Sequence, residues 1–83
     1  MNTYQTTVRL PCLKNNLPID YWVEIQSVET IMVEDINAFL LNDDGKGVIH
    51  EVLADDMYDR FGGWQTIKAM HHGVHITTTR GSL

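Results

Sequence analysis

The feature that most constrains the fold of this sequence is a set of apolar residues spaced four positions apart, followed by two glycines. At this spacing the apolar residues share one side of a helix. Gly62 and Gly63 come directly after the last of them, and glycine commonly ends a helix because it adopts positive φ without strain. Residues 47–64 therefore predict an amphipathic helix that starts at Asp44 or Gly47. Its apolar side consists of Ile49, Leu53, Met57 and Phe61.

Two strands are predicted ahead of this helix. Residues 3–13 and 19–28 are rich in β-branched residues and alternate in polarity, as strands with one buried face do. The segment between them contains asparagines and Pro18, which favour a turn. The pattern predicts an N-terminal hairpin with an apolar face. That face consists of Tyr4, Thr6, Val8 and Leu10 from the first strand and Tyr21, Val23 and Ile25 from the second.

Residues 29–41 allow two interpretations. Ile31 to Val33 could extend the preceding strand, whereas Val33, Ile36 and Leu40 fit helical spacing. We favour a helix from Thr30 or Met32 to residue 41, with Thr30 as the N-cap, because acidic residues then occupy its first turn.

After the double glycine the pattern returns to strands. Residues 64–70 alternate in polarity, and residues 74–79 contain a run of threonine that favours β structure. His71, His72 and Gly73 lie between them and are predicted to form a turn, with residues 80–83 as a loose tail. The order β-β-α-α-β-β predicts an α+β fold in one domain spanning residues 1–83. Its architecture would be a two-layer antiparallel sheet of about four strands, covered on one face by one or two helices.

Composition sets limits on the class of protein. The 83 residues are 43% apolar and 20% charged, which is typical of a globular chain. A chain of this size has a thin core that homodimerisation would support. Cys12 is the single cysteine, so no internal disulfide can form. Neither a leader nor an apolar run of the ~20 residues that span a bilayer is evident. We expect a cytoplasmic protein without membrane contact.

Charge is distributed unevenly along the chain. All eleven carboxylates lie between Asp20 and Asp59, where Lys46 is the one basic residue, while the flanking segments are basic. The acidic middle repels phosphate, which argues against direct nucleic-acid binding. The acidic side chains either keep the protein soluble or attract a basic partner.

The sequence favours an interaction protein over an enzyme. Its predicted contact residues are acidic side chains on the main helix together with aromatic residues, which are favoured anchors at interfaces. The partner would be another protein, with a basic surface. An accessory protein of a phage or mobile element, or an inhibitor that mimics phosphate charge, is one form of this hypothesis. The alternative is a ligand-binding or enzymatic subunit whose site forms across a homodimer interface and could use the histidines. The predicted contact residues are Glu51, Asp55, Tyr58, Asp59, Trp22 and Trp64.

No catalytic residue, metal site or cofactor is predicted. His71 and His72 are assigned to an exposed turn, with His50 elsewhere, and no carboxylate nearby orients an imidazole for a metal. Residues 43–47 lack both the ligand spacing of a calcium loop and the Gly-Lys-Ser/Thr ending of a phosphate loop. Cys12 has no neighbouring histidine in the sequence and is typical of a small buried side chain.

Overall fold

The computed structural model of the chain describes residues 1–41 and 47–82. Its secondary structure follows the order β-β-α-α-β-β, as the sequence predicts. The strands are β1 (Asn2–Pro11), β2 (Pro18–Ser27), β3 (Trp64–His71) and β4 (Val74–Gly81), and the helices are α1 (Val33–Leu41) and α2 (His50–Phe61). The proposed helix start at Asp44 lies outside the described residues.

The four strands form one antiparallel sheet in the order β1-β2-β3-β4. Both helices are inserted between the two central strands along the chain. Val8, Tyr21 and Ala69 lie opposite one another in neighbouring strands and therefore share one face of the sheet. We call this the inner face, because the helices cover it; the other is the outer face. The predicted α+β fold is confirmed.

The core lies between the inner face and the helices. Leu53 and Met57 of α2 are buried with Val23, Ile25 and Ile67 of the central strands, as the helical spacing and the strand alternation predict. The spacing of Val74 and Ile76 in the last strand also predicts that Val74 is buried, and this prediction is wrong, because Val74 is 61% exposed next to the β3–β4 turn. The two ends of the predicted apolar side, Ile49 and Phe61, are only partly buried, because they lie where α2 begins and ends.

Helix α1 confirms the helical interpretation of the segment before it. Ile36 and Leu40 are buried, whereas Val33 is exposed at the first position of the helix. The amide of Asp35 donates to the carbonyl of Met32 at 3.0 Å. Because the helix begins at Val33, Thr30 lies too far ahead to act as the predicted N-cap.

Helix α2 begins later than the sequence predicts and ends where it predicts. Ile49 is the N-cap, so Gly47 precedes the helix rather than starting it. At the other end the amide of Gly62 donates to the carbonyl of Tyr58 at 2.8 Å, and Gly62 has a φ of 62°. A Cβ atom on Gly63 would collide with the main-chain oxygen of Gln26 in β2. The second glycine therefore allows the chain to pass close to the sheet before it enters β3.

The β3–β4 turn consists of two residues, His72 and Gly73, with φ values of 50° and 81°. Positive φ at both central positions is the geometry of a type I′ turn, whose twist matches that of an antiparallel hairpin. β4 then continues to Gly81, so the prediction of a loose tail from residue 80 is wrong for Arg80 and Gly81. Neither of the helices described within residues 1–41 and 47–82 is long and apolar enough to cross a membrane.

Candidate functional site

The acidic and aromatic residues predicted on the main helix lie together on one side of α2. Glu51, Asp55 and Asp59 follow one another at intervals of four, and Tyr58 lies between them on the helix surface. All four are exposed, and Tyr58 keeps 40% of its surface accessible. We call these four residues the acidic side of α2. They bring carboxylates and an aromatic ring to one solvent-facing surface, which suits contact with a basic protein.

Arg80 of β4 joins the acidic side of α2 to the sheet. Its Nη2 lies 2.6 Å from Glu51 Oε2, and its Nε lies 2.9 Å from Asp55 Oδ1. The hydrogen bonds that Arg80 donates to Asp55 and, second in effect, to Glu51 raise the pKa of its guanidinium group above the usual value. Two carboxylates of the acidic side are therefore partly neutralised by a residue that the sequence places in a tail.

The negative charge that Arg80 does not neutralise lies mainly on the two helices, which we call the helical layer. The two helices carry six carboxylates against one basic residue, Arg60. Within the described residues no ion pair is found for Asp56 or Asp59. The strands are nearly balanced, and on the outer face Arg9 pairs with Asp20 at 2.7 Å. The molecule thus has an acidic helical layer on a sheet with little net charge.

The two tryptophans of the predicted site do not join this surface. Trp22 and Trp64 alternate with buried residues of β2 and β3, so they lie on the outer face of the sheet. The ammonium group of Lys68 lies 4.9 Å from the ring centre of Trp22, a distance typical of a cation–π contact. The six predicted contact residues therefore separate into four on α2 and two on the opposite side of the molecule.

A shallow cavity of about 530 Å³ lies beside α2, on the side away from Arg80. Apolar side chains from β1, from α1 and from the segment that leads into α2 line it, among them Leu10, Phe39 and Val48. Val52, which is 49% exposed, and Asp56 lie on its α2 side. We call this cavity the apolar groove. The sequence analysis did not predict it, because it forms only where separate elements meet.

A second cluster lies inside the molecule, where α2 begins. His50 is only 5% exposed and Tyr21 is fully buried. Their ring centres lie 5.6 Å apart, and the ring of His71 lies 5.7 Å from His50 and 6.0 Å from Tyr21. This placement corrects the sequence analysis, which puts His71 in an exposed turn and His50 elsewhere. His71 is the last residue of β3 and its side chain is on the inner face.

The polar atoms of this cluster lack hydrogen bonds. Tyr21 Oη, both ring nitrogens of His50 and Nε2 of His71 are buried without a partner among the described residues. Each unsatisfied buried group costs roughly 1–3 kcal/mol. Burial lowers the pKa of His50 below its usual value, and the neighbouring imidazole of His71 lowers it further. Burial and the nearby Cys12 raise the pKa of Tyr21. The cluster is therefore held together by ring packing, with His50 and Tyr21 uncharged.

The donors present do not assemble a metal site. Among residues 1–41 and 47–82, no three His, Cys, Asp or Glu side chains are grouped so that they could hold a metal ion. His50 also stands at the N-terminus of α2, where the positive end of the helix dipole disfavours a cation. His72 and His75 are exposed, and His72 Nε2 is 2.9 Å from the side-chain amide of Asn15.

Position on the helix could have identified His50 from the sequence. Counting from Leu53, Ala54 and Met57, residue 50 falls on the same buried side of α2. A histidine at such a position is predicted to be buried against the sheet.

Comparisons with known proteins identify no family for this chain. A scan against models of protein families finds no match. A search of curated proteins also finds no matching relative.

Proposed function

We propose that this chain is a small binding protein that recognises a basic surface on another protein through α2. The observation that carries the proposal is the acidic side of α2, where three carboxylates and Tyr58 face solvent together. Aromatic residues supply much of the binding energy at protein interfaces, and complementary charge steers the partner and sets its orientation.

The distribution of charge supports a directional contact. The helical layer is acidic while the strands are nearly balanced, so the field of the molecule is strongest on the side that α2 presents. Arg80 competes for Glu51 and Asp55, which leaves Asp59 as the carboxylate of the acidic side most available to a partner. A partner that binds here carries lysine or arginine side chains.

The apolar groove supplies the second element of the proposal. It adjoins α2 through Val52 and Asp56, so a partner that contacts the carboxylates can also place an apolar side chain against Leu10 or Phe39. Fully desolvated apolar contacts at the centre of an interface contribute more affinity than charges at its rim. We therefore expect the bound segment to be basic with at least one large apolar residue.

The proposal is tested by capture and by affinity. The tagged chain is used to capture proteins from the lysate of its native host, and the captured partner is then purified and its dissociation constant measured against added salt. Replacing Glu51, Asp55 and Asp59 by Gln is expected to abolish capture. Wild-type affinity is expected to fall as salt rises, because added ions screen exposed charges.

A matched control removes charge from the other helix. The double variant Glu34→Gln/Asp35→Asn alters two carboxylates of α1 without touching α2, and it should bind almost as well as wild type. A triple variant of α2 that still binds the partner at wild-type strength would remove the proposal. Competition by duplex DNA then tests whether the partner is itself a nucleic-acid-binding protein whose site the carboxylates occupy in place of phosphate.

A further inference from the structure

We propose that His50, packed against His71, forms a proton-sensitive latch that holds the first turn of α2 against the sheet while the His50 imidazole is neutral and releases it when that ring is protonated. The latch belongs to the folded chain itself and does not depend on whether α2 binds a partner. Its basis is the position of His50, the first residue of α2, between Tyr21 of β2 and His71 of β3.

The geometry explains why the neutral form is required. His50 is 5% exposed, and the ring of His71 lies only 5.7 Å away. A proton on His50 would place a charge where no carboxylate accepts a hydrogen bond from it, since both of its ring nitrogens are buried without a partner in the described chain. The neighbouring ring of His71 lowers the pKa of His50 further. Relief comes when His50 leaves the sheet and meets water.

The other charged and titratable groups around His50 do not offset this. Glu51 on α2 raises the pKa of His50, and Arg80 on β4 lowers it, but these two residues are paired with each other. The carbonyl of Ile67 on β3 also raises the pKa without reaching hydrogen-bond geometry. Tyr21 on β2, with Cys12 beside it, is uncharged near neutral pH because its pKa is raised. Desolvation remains the largest influence, and it favours neutral His50.

The direction of the pH effect follows from this. The pKa of His50 in the folded chain lies below the ordinary value of 6.5, so the unfolded or opened chain binds more protons near and below that pH. The stability that neutral His50 contributes is fully present above pH 6.5 and is lost as pH falls through the folded pKa. Between pH 6.5 and the folded pKa of His50, the equilibrium constant for holding the first turn of α2 against the sheet falls by up to about tenfold for each pH unit.

The latch is tested by amide hydrogen exchange on the intact chain between pH 7.5 and pH 5.5, a window above the ordinary pKa values of carboxylates. After correction for intrinsic exchange, protection is expected to fall several-fold at Leu53 and Ala54, the first amides of α2 with partners inside the helix, and much less at residues 58–61. His50→Phe should remove this pH dependence. His75→Phe, an exposed histidine on β4, should leave it as in wild type. Equal loss of protection at both ends of α2 would overturn the proposal.

A second measurement on the wild-type chain avoids reliance on the variants. The imidazole resonances of all four histidines are followed by NMR as pH is lowered. The midpoint of His50 is expected to lie below the ordinary value of 6.5, and its titration should coincide with the loss of protection in the first turn. A midpoint for His50 at or above 6.5 would show that it is not held in the neutral state.

Discussion

The side-chain amide of Gln65 donates a hydrogen bond of 2.9 Å to the main-chain carbonyl of Met57. The same nitrogen lies 2.8 Å from the carbonyl of Gly62. Gln65 is buried on the inner face of β3, so the sheet itself supplies a donor to carbonyl groups at the end of α2. The carbonyl group of Gly62 follows the last turn of α2, where carbonyl groups lack partners within the helix. This contact fixes the end of α2 opposite the latch.

Replacing Gln65 by Leu should destabilise the chain by about 1–3 kcal/mol, because two buried carbonyl groups lose a donor. Urea denaturation measures the change. Gln5→Leu, at an exposed position on the outer face of β1, serves as the control and should alter the free energy of unfolding by no more than about 0.5 kcal/mol. Equal effects of the two substitutions would mean that the Gln65 contact does not stabilise the fold.

Leu53→Ala should cost roughly 2–5 kcal/mol, because a buried leucine that is truncated leaves a cavity in the core. Val52→Ala, at the neighbouring and half-exposed position, should cost much less. Thermal and chemical denaturation of both variants measure the difference. If Leu53→Ala unfolds at the wild-type midpoint, the buried side of α2 has been assigned wrongly.

Gly63→Ala should be more disruptive than Gly62→Ala, although both glycines have positive φ. Backbone conformations of this kind cost other residues about 1–3 kcal/mol. A methyl group at Gly62 meets open space, whereas at Gly63 it strikes the carbonyl oxygen of Gln26. Denaturation midpoints of the two variants measure the order. The reverse order would contradict the close approach of the chain to β2.

Arg80→Met should lower the thermal midpoint by a few degrees at low salt, since Glu51 and Asp55 lose their common partner. The difference from wild type should narrow near 1 M salt, where charges are screened beyond about 3 Å. Arg80 already offsets part of the repulsion among Glu51, Asp55 and Asp59. Replacing these three residues by Gln should therefore stabilise the chain less than the loss of like-charge repulsion alone predicts. A salt-independent effect of Arg80→Met would point to lost packing instead.

Treatment with a chelator should leave the thermal midpoint unchanged. The described chain groups no three metal-binding side chains, and two buried imidazoles alone are a poor site at the positive end of a helix. Scanning fluorimetry with and without a chelator measures this. A fall in the midpoint that zinc reverses would instead assign His50 and His71 to a metal.

The periodic parts of the chain were predictable, because the spacing of apolar residues directly reflects which side is buried. That is why α2, the alternation of β2 and the α+β order all agree with the structure. The outer-face position of Trp22 could also have been inferred, since it alternates with buried Tyr21 and Val23.

Contacts between distant segments were not predictable in the same way. The meeting of His50 with His71, and the ion pairs from Arg80 to α2, depend on how the helix crosses the sheet. Spacing along the chain carries no information about that crossing. The candidate site was therefore predicted on α2 but not in its relation to β3 and β4.

The position of the helices between the two central strands has a consequence for how fast the molecule folds. The hairpins β1–β2 and β3–β4 join neighbours in the chain, and such hairpins form within microseconds. Pairing β2 with β3 must close a loop containing residues 28–63, which carries the larger entropic cost. Truncating Val23 or Ile67, which face each other across that seam, is therefore expected to slow folding. Changes confined to the edge strands are expected mainly to speed unfolding.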